Sequence, residues 1–70
     1  SIRKTLFRLC LEVNDDSQNA FAKRLGLTPM AVSRFLSGHK SERIRKEVDK
    51  YIGSNLSKIK EQLDQFKLVA

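Results

Sequence analysis

One cysteine, one histidine, one proline and three glycines are all this chain has of those residues, and it is short of acid. Eight Asp and Glu stand against 14 Lys and Arg, for a net charge of +6 and a pI near 9.9. The lone Cys10 has no mate for an internal disulfide, which favours a reducing compartment. No apolar run approaches the ~18 residues of a membrane span. Arg3 and Lys4 precede a short apolar patch, but Arg8 and Glu12 interrupt it and no cleavage site follows, so a signal peptide is not expected. Zinc-ligand spacing and a Gly-rich phosphate loop are both missing. Asp15 and Asp16 are adjacent carboxylates in a loop without a further ligand, which reads as a helix start rather than a metal or acid–base site. Ser37-Gly38-His39-Lys40 matches a Ser-x-x-Lys string but straddles a helix end, and Cys10 lies on an apolar stripe away from His39. The expectation is therefore no enzyme, no catalytic residue, no cofactor, no metal and no small-molecule substrate.

Seventy residues make one small domain, which buries only about 60% of the surface its unfolded chain exposes. What the chain does have is basic charge, and the natural partner of a strongly basic 8 kDa domain is a polyanion. It also has helical periodicity throughout and no strand signals. Ile2, Leu6, Leu9, Cys10 and Val13 form one stripe of a helix over Ser1–Val13. Phe7 and Leu11 fall roughly opposite that stripe, so a second cover is expected for them. Asn14-Asp15-Asp16-Ser17 breaks this helix, with Ser17 or Asp16 as the next N-cap. Later, Ser41 caps a helix carrying Ile44, Val48, Tyr51 and Ile52, which Gly53 is expected to end. Ser54-Asn55 then starts a last helix. The prediction is an all-α fold of four to five short helices.

The centre of the chain is Gln18 to Ser37. Phe21, Ala22 and Leu25 share one helix face, and Gly26 supplies the left-handed cap that stops it. Thr28 is an N-cap with Pro29 as the first helical residue, and Val32, Phe35 and Leu36 face inward on the second helix. Two helices joined by three or four residues fit a helix-turn-helix unit.

This stretch resembles the helix-turn-helix of the lambda-repressor-like (Cro/C1-type) DNA-binding domains. Gln18 stands at the first motif position, Phe21-Ala22 are the apolar–small pair, Leu25-Gly26-Leu27 form the turn, and Val32 and Phe35 fill the second helix. The resemblance implies double-stranded DNA binding by residues 1–53, as in a phage or bacterial transcriptional regulator, commonly a repressor. It implies cytoplasmic, nucleoid-associated location. By the same resemblance, Thr28, Pro29, Met30, Ser33 and Arg34 take base-facing positions, with Arg34 suited to guanine O6 and N7. Ser17, Gln18, Asn19, Ser37, His39, Lys40 and Arg43 take phosphate positions. Pro29 departs from the polar residue common at its position and offers only shape.

Residues 54–70 are expected to form an amphipathic helix in which Leu56, Ile59, Leu63 and Phe66 repeat at a/d spacing over about one and a half heptads. It either packs back on the domain or forms a homodimer contact. Two other readings compete with a regulator. One is the DNA-binding or docking module of a larger protein, since the Phe21–Ile52 layout is loosely similar to the module in front of phage Mu-type transposition ATPases. The other is a protein-interaction domain on the same scaffold.

Overall fold

Four helices form: α1 (Ile2–Val13), α2 (Gln18–Arg24), α3 (Pro29–Leu36) and α4 (Glu42–Val69). This computed structural model describes residues 1–69, with side chains as far as Lys67; Ala70, the end of the 54–70 segment, lies outside the described residues. The described residues are helix and connecting turn without a strand, so the fold is all-α.

The first three helices stop on the same device. At the end of α2, Gly26 sits at φ 68°, and the N–H groups of Leu27 and Gly26 donate to the carbonyls of Ala22 (2.9 Å) and Lys23 (3.1 Å). These paired bonds satisfy carbonyls that the helix end leaves without partners. At the end of α3, Gly38 at φ 116° does the same, with His39 N–H on Arg34 and Gly38 N–H on Phe35, both at 3.0 Å. At the end of α1 the left-handed residue is Asp15, at φ 50°, with Asp16 N–H on Leu11 at 2.8 Å. The starts are equally local. Ser1, Ser17, Thr28 and Ser41 each place a side-chain oxygen within 3.0–3.4 Å of a backbone N–H three residues on.

The inner face of α1 keeps part of the expected stripe, with Cys10 buried and Leu6 and Val13 packed partly against the core, but its centre shifts to Phe7. Phe7, Cys10 and Leu11 are buried, whereas Ile2 is 78% and Leu9 39% exposed. The largest ring takes the centre of the inner arc, and Ile2 and Leu9 are left outside it. Phe7 packs edge-on against Phe21 (centroids 4.9 Å apart) and Tyr51 (5.6 Å), and those two rings lie 5.2 Å from each other. Each such pair adds roughly 0.5–1.5 kcal/mol beyond the area it buries. Around this trio lie Ala22, Val32, Ile44, Val48, Ile52 and Ile59.

The boundary expected at Gly53 is also absent: α4 runs unbroken for 28 residues. Ser54 and Asn55 do not cap a new helix. Their side chains instead bond back to the carbonyls of Lys50 (2.8 Å) and Tyr51 (2.7 Å) within the same helix. A glycine inside a helix costs about 1 kcal/mol relative to alanine, too little to break it where both sides are anchored. Asn55, only 6% exposed, is that anchor: its Oδ1 accepts from Asn14 Nδ2 at 2.7 Å. Of the four a/d residues, Ile59 belongs to the domain's own core, while Leu56, Leu63 and Phe66 are exposed. The segment is not a separate helix, and it touches the domain through Asn55 and Ile59. It continues α4 past the end of α1, and from Lys60 to Lys67 every residue is exposed.

A polar cluster locks the α1–α2 loop to α4. Tyr51 Oη donates to Asp16 Oδ2 (2.9 Å) and accepts from Asn14 Nδ2 (3.1 Å). Asp16 also accepts two bonds from the Arg24 guanidinium (2.7 and 3.2 Å) and one from Ser17 N–H (2.8 Å). Lys58 Nζ closes the cluster on Asn14 Oδ1 at 2.9 Å. The Arg24 guanidinium, helped by the Ser17 N–H and the Tyr51 hydroxyl, holds the Asp16 carboxyl down at about 2 against a partial desolvation that raises it.

Three substitutions test these turns and this cluster. Asp15→Gly removes a left-handed side chain, so it stabilises by about 0.5–1 kcal/mol, whereas Gly26→Ala destabilises by about 1 kcal/mol. Urea unfolding followed by far-UV circular dichroism reads both. Because the folded Asp16 carboxyl titrates below its unfolded value near ~3.9, its stabilisation is full above that pH and fades as pH falls towards about 2. Asp16→Asn lowers stability at neutral pH and flattens the loss between pH ~4 and ~2 in acid titrations of the melting temperature.

Candidate nucleic-acid interface

The site is built on the α2–α3 pair. Val32 is fully buried, and Ala31, Phe35 and Leu36 pack against the core as partly buried neighbours. That fixes the roll of α3 and turns Pro29, Met30, Ser33, Arg34 and Ser37 outward, with Thr28 before them; all are exposed, Met30 to 61%. The five residues expected to face bases therefore share one open surface. Thr28 has a structural duty as well, since its oxygen accepts the Ala31 N–H at 3.2 Å.

The expected phosphate residues divide into two groups by position. Ser17, Gln18 and Asn19 stand at the start of α2, where Ser17 Oγ accepts the Ala20 N–H at 3.0 Å and Gln18 is half-buried. Ser37, His39 and Lys40 lie in the α3–α4 connection, all exposed. His39 Nδ1 rests on the Arg34 carbonyl at 3.2 Å, so the ring closes the end of α3. Arg43 is partly committed: its Nη2 donates to the Leu25 carbonyl at 2.7 Å, tying the start of α4 to the turn after α2. A guanidinium has five N–H donors, so this bond leaves others for a second acceptor.

Charge sets this surface apart. From Ser17 to Ser41 the chain carries no Asp or Glu, while it carries Lys23, Arg24, Arg34, His39 and Lys40. Arg24 is spent on Asp16, but no carboxylate lies within ion-pair distance of Arg34 or Lys40 among the described residues. Fixed positive charge on an exposed helix, without local neutralisation, attracts polyanions over distances near the Debye length.

One further basic residue stands beside this surface. Lys4, on the first turn of α1, lines an open groove of about 580 Å³ together with Lys40, His39 and Gly38 from the α3–α4 connection. Arg3 and Arg45 line it too, but Asp49 and Glu42 hold them at 2.8 Å. Lys4 and Lys40 are 36 positions apart in the chain, and only the tertiary fold brings them together.

Cys10 is fully buried, and burial pushes its thiol up, away from the reactive thiolate. No helix among the described residues is long and apolar enough to cross a membrane. Comparison of the chain with protein-family models, curated proteins and solved structures finds no match.

Proposed function

We propose that the chain binds double-stranded DNA with α3 in the major groove, as a lambda-repressor-like helix-turn-helix domain of a transcriptional regulator. The observation that carries this reading is the outward face of α3: exposed Met30, Ser33 and Arg34 on a stretch without a single acid. B-DNA's major groove admits one helix, and α3 is held by its buried Val32 edge with the opposite edge free. In this reading Arg34 donates two bonds to one guanine, Met30 meets a thymine methyl, Ser33 donates or accepts, and Pro29 and Thr28 set the approach. The start of α2 (Ser17, Gln18, Asn19) and the loop after α3 (Ser37, His39, Lys40, with Arg43) take phosphates on either side.

A second reading has its own observation. Pro29 and Met30 carry no polar side-chain atom able to read a base edge strongly, so the first turn of α3 reads shape rather than sequence. That suits a docking module of a larger protein that holds DNA without choosing a site.

Selection from random duplexes at about 150 mM salt separates the two, because non-specific affinity is weak there. The regulator reading predicts an enriched motif containing guanine. Arg34→Ala then weakens binding to that motif about 5- to 150-fold, corresponding to roughly 1–3 kcal/mol, with unchanged circular dichroism. No enrichment, with binding only at low salt, rejects the regulator and favours the docking module. A separate titration tests the phosphate residues: four or five contacts give a log–log salt slope near −4 at ~0.9 per phosphate, and Lys40→Gln makes it shallower by about 0.9. An unchanged slope removes Lys40 from the interface.

A further inference from the structure

Histidine is the side chain that ordinarily changes charge between about pH 5 and 8, and this chain has one, His39. The fold selects which of its ring nitrogens carries hydrogen. Nδ1 lies 3.2 Å from the Arg34 carbonyl oxygen at the end of α3. That oxygen also takes the backbone N–H groups of Ser37 (3.1 Å) and His39 (3.0 Å), so it is a fixed part of the helix end. A carbonyl oxygen can only accept, so Nδ1 is the N–H nitrogen of the neutral ring. Nε2 is left with a bare lone pair, on an exposed residue and without a hydrogen-bond partner among the described residues. The charges around the ring come from every neighbouring element. Lys40 follows it in the chain, and Lys4 and the Ser1 amino group line the same groove from the start of α1. Arg3 on α1 is held by Asp49, and on α4 Glu42 and Arg45 pair with each other, both at 2.8 Å. Arg34 is the one charged residue of α3. No carboxylate lies within ion-pair distance of His39 among the described residues.

We propose that DNA binding by this domain takes up one proton at His39, so that affinity falls as pH rises through the histidine range. His39 stands here among the phosphate residues after α3, as in the DNA reading on which this rests. A phosphate oxygen offers only lone pairs, and the neutral ring turns another lone pair towards it at Nε2. The other neutral tautomer would donate from Nε2 only by setting a lone pair on Nδ1 against the Arg34 carbonyl. The imidazolium meets both demands at once. Nδ1 keeps the carbonyl, while Nε2 donates to the phosphate in a charge-assisted bond. Protonation therefore changes the outer face of the loop and leaves the end of α3 closed. A bound phosphate favours the charged ring, so the complex holds more protons than the free domain, and binding tightens as pH falls. Two other groups stay outside this window: Asp16 is held at about 2, and burial pushes the Cys10 thiol up.

Two measurements test it. The first needs no DNA. Two-bond nitrogen–proton correlations of the His39 ring, on the isotope-labelled 70-residue chain at about pH 8, read the neutral tautomer. Hydrogen on Nδ1 is expected, and hydrogen on Nε2 overturns the proposal. The second is fluorescence anisotropy with a mixed-sequence duplex at one low ionic strength, between about pH 5.5 and 7.5, with the Ser1 amine acetylated so that it does not titrate. One proton taken up across this range raises Kd about tenfold. His39→Gln supplies a permanent amide donor near the Nε2 position, and His39→Asn keeps only a donor to the Arg34 carbonyl. Both give flat profiles, with circular dichroism showing that they fold; should one unfold, the other carries the comparison. A wild-type Kd that ignores pH, or a folded variant that keeps the wild-type slope, overturns the proposal and leaves the DNA reading in place. An absence of binding at every pH removes the DNA reading, and the proposal with it.

Discussion

Phe7, Phe21 and Tyr51 come from α1, α2 and α4, and their edge-on contact is where the three helices are brought to one point. The contact selects which side of α1 is inside. It sets the roll of α2, because Phe21 and Ala22 must both reach the core. It also places the Tyr51 hydroxyl over the α1–α2 loop, where Asp16 and Asn14 meet it. The largest side chains of a small domain thus do two jobs: one end of the cluster excludes water, and the other, through a single hydroxyl, fixes a loop of polar residues. α3 is positioned at second hand. It joins α2 through the Gly26 turn, Val32 is drawn into the same core, and Arg43 braces the turn from α4. Its outer face is left free of structural work apart from the cap at Thr28.

Local signals were the most legible part of the sequence. Ser17, Thr28 and Ser41 as caps, Pro29 as a first helical residue, and Gly26 and Gly38 as stops all act through bonds within a few residues, so spacing reveals them. The signals that failed depend on distant partners. The stripe of Ile2, Leu6, Leu9, Cys10 and Val13 is as regular as the Phe7–Cys10–Leu11 arc; Cys10 belongs to both, and the rings of Phe21 and Tyr51 draw the centre of burial to Phe7. Gly53 followed by Ser54-Asn55 carries every mark of a helix break. It is overruled because Asn55 finds Asn14, 41 positions away, and because the two side chains bond back into the helix. Asp15 stands where a helix-start acid is expected, yet its backbone is the left-handed end of α1.

The candidate site was legible to the same degree and for the same reason. The outward set Thr28, Pro29, Met30, Ser33 and Arg34 follows from the inward set on one short helix. The loop residues were harder. His39 and Arg43 both make backbone bonds that close helix ends, duties invisible in composition, and Lys4 enters the Lys40 groove only through the tertiary fold. The stretch from Ser17 to Ser41, which holds α2 and α3, carries basic residues and no acid.

The central claim is that α3 and its flanks form the DNA-contacting surface. Amide chemical-shift mapping of the isotope-labelled chain, titrated with a mixed-sequence duplex at low ionic strength, tests it most directly. The account predicts the largest changes at residues 28–34, with flanking changes at 17–19 and 37–43, and quiet amides along Gly53–Leu63. Changes centred on the α1–α4 seam, or no change at a salt concentration where basic domains bind DNA non-specifically, would contradict it.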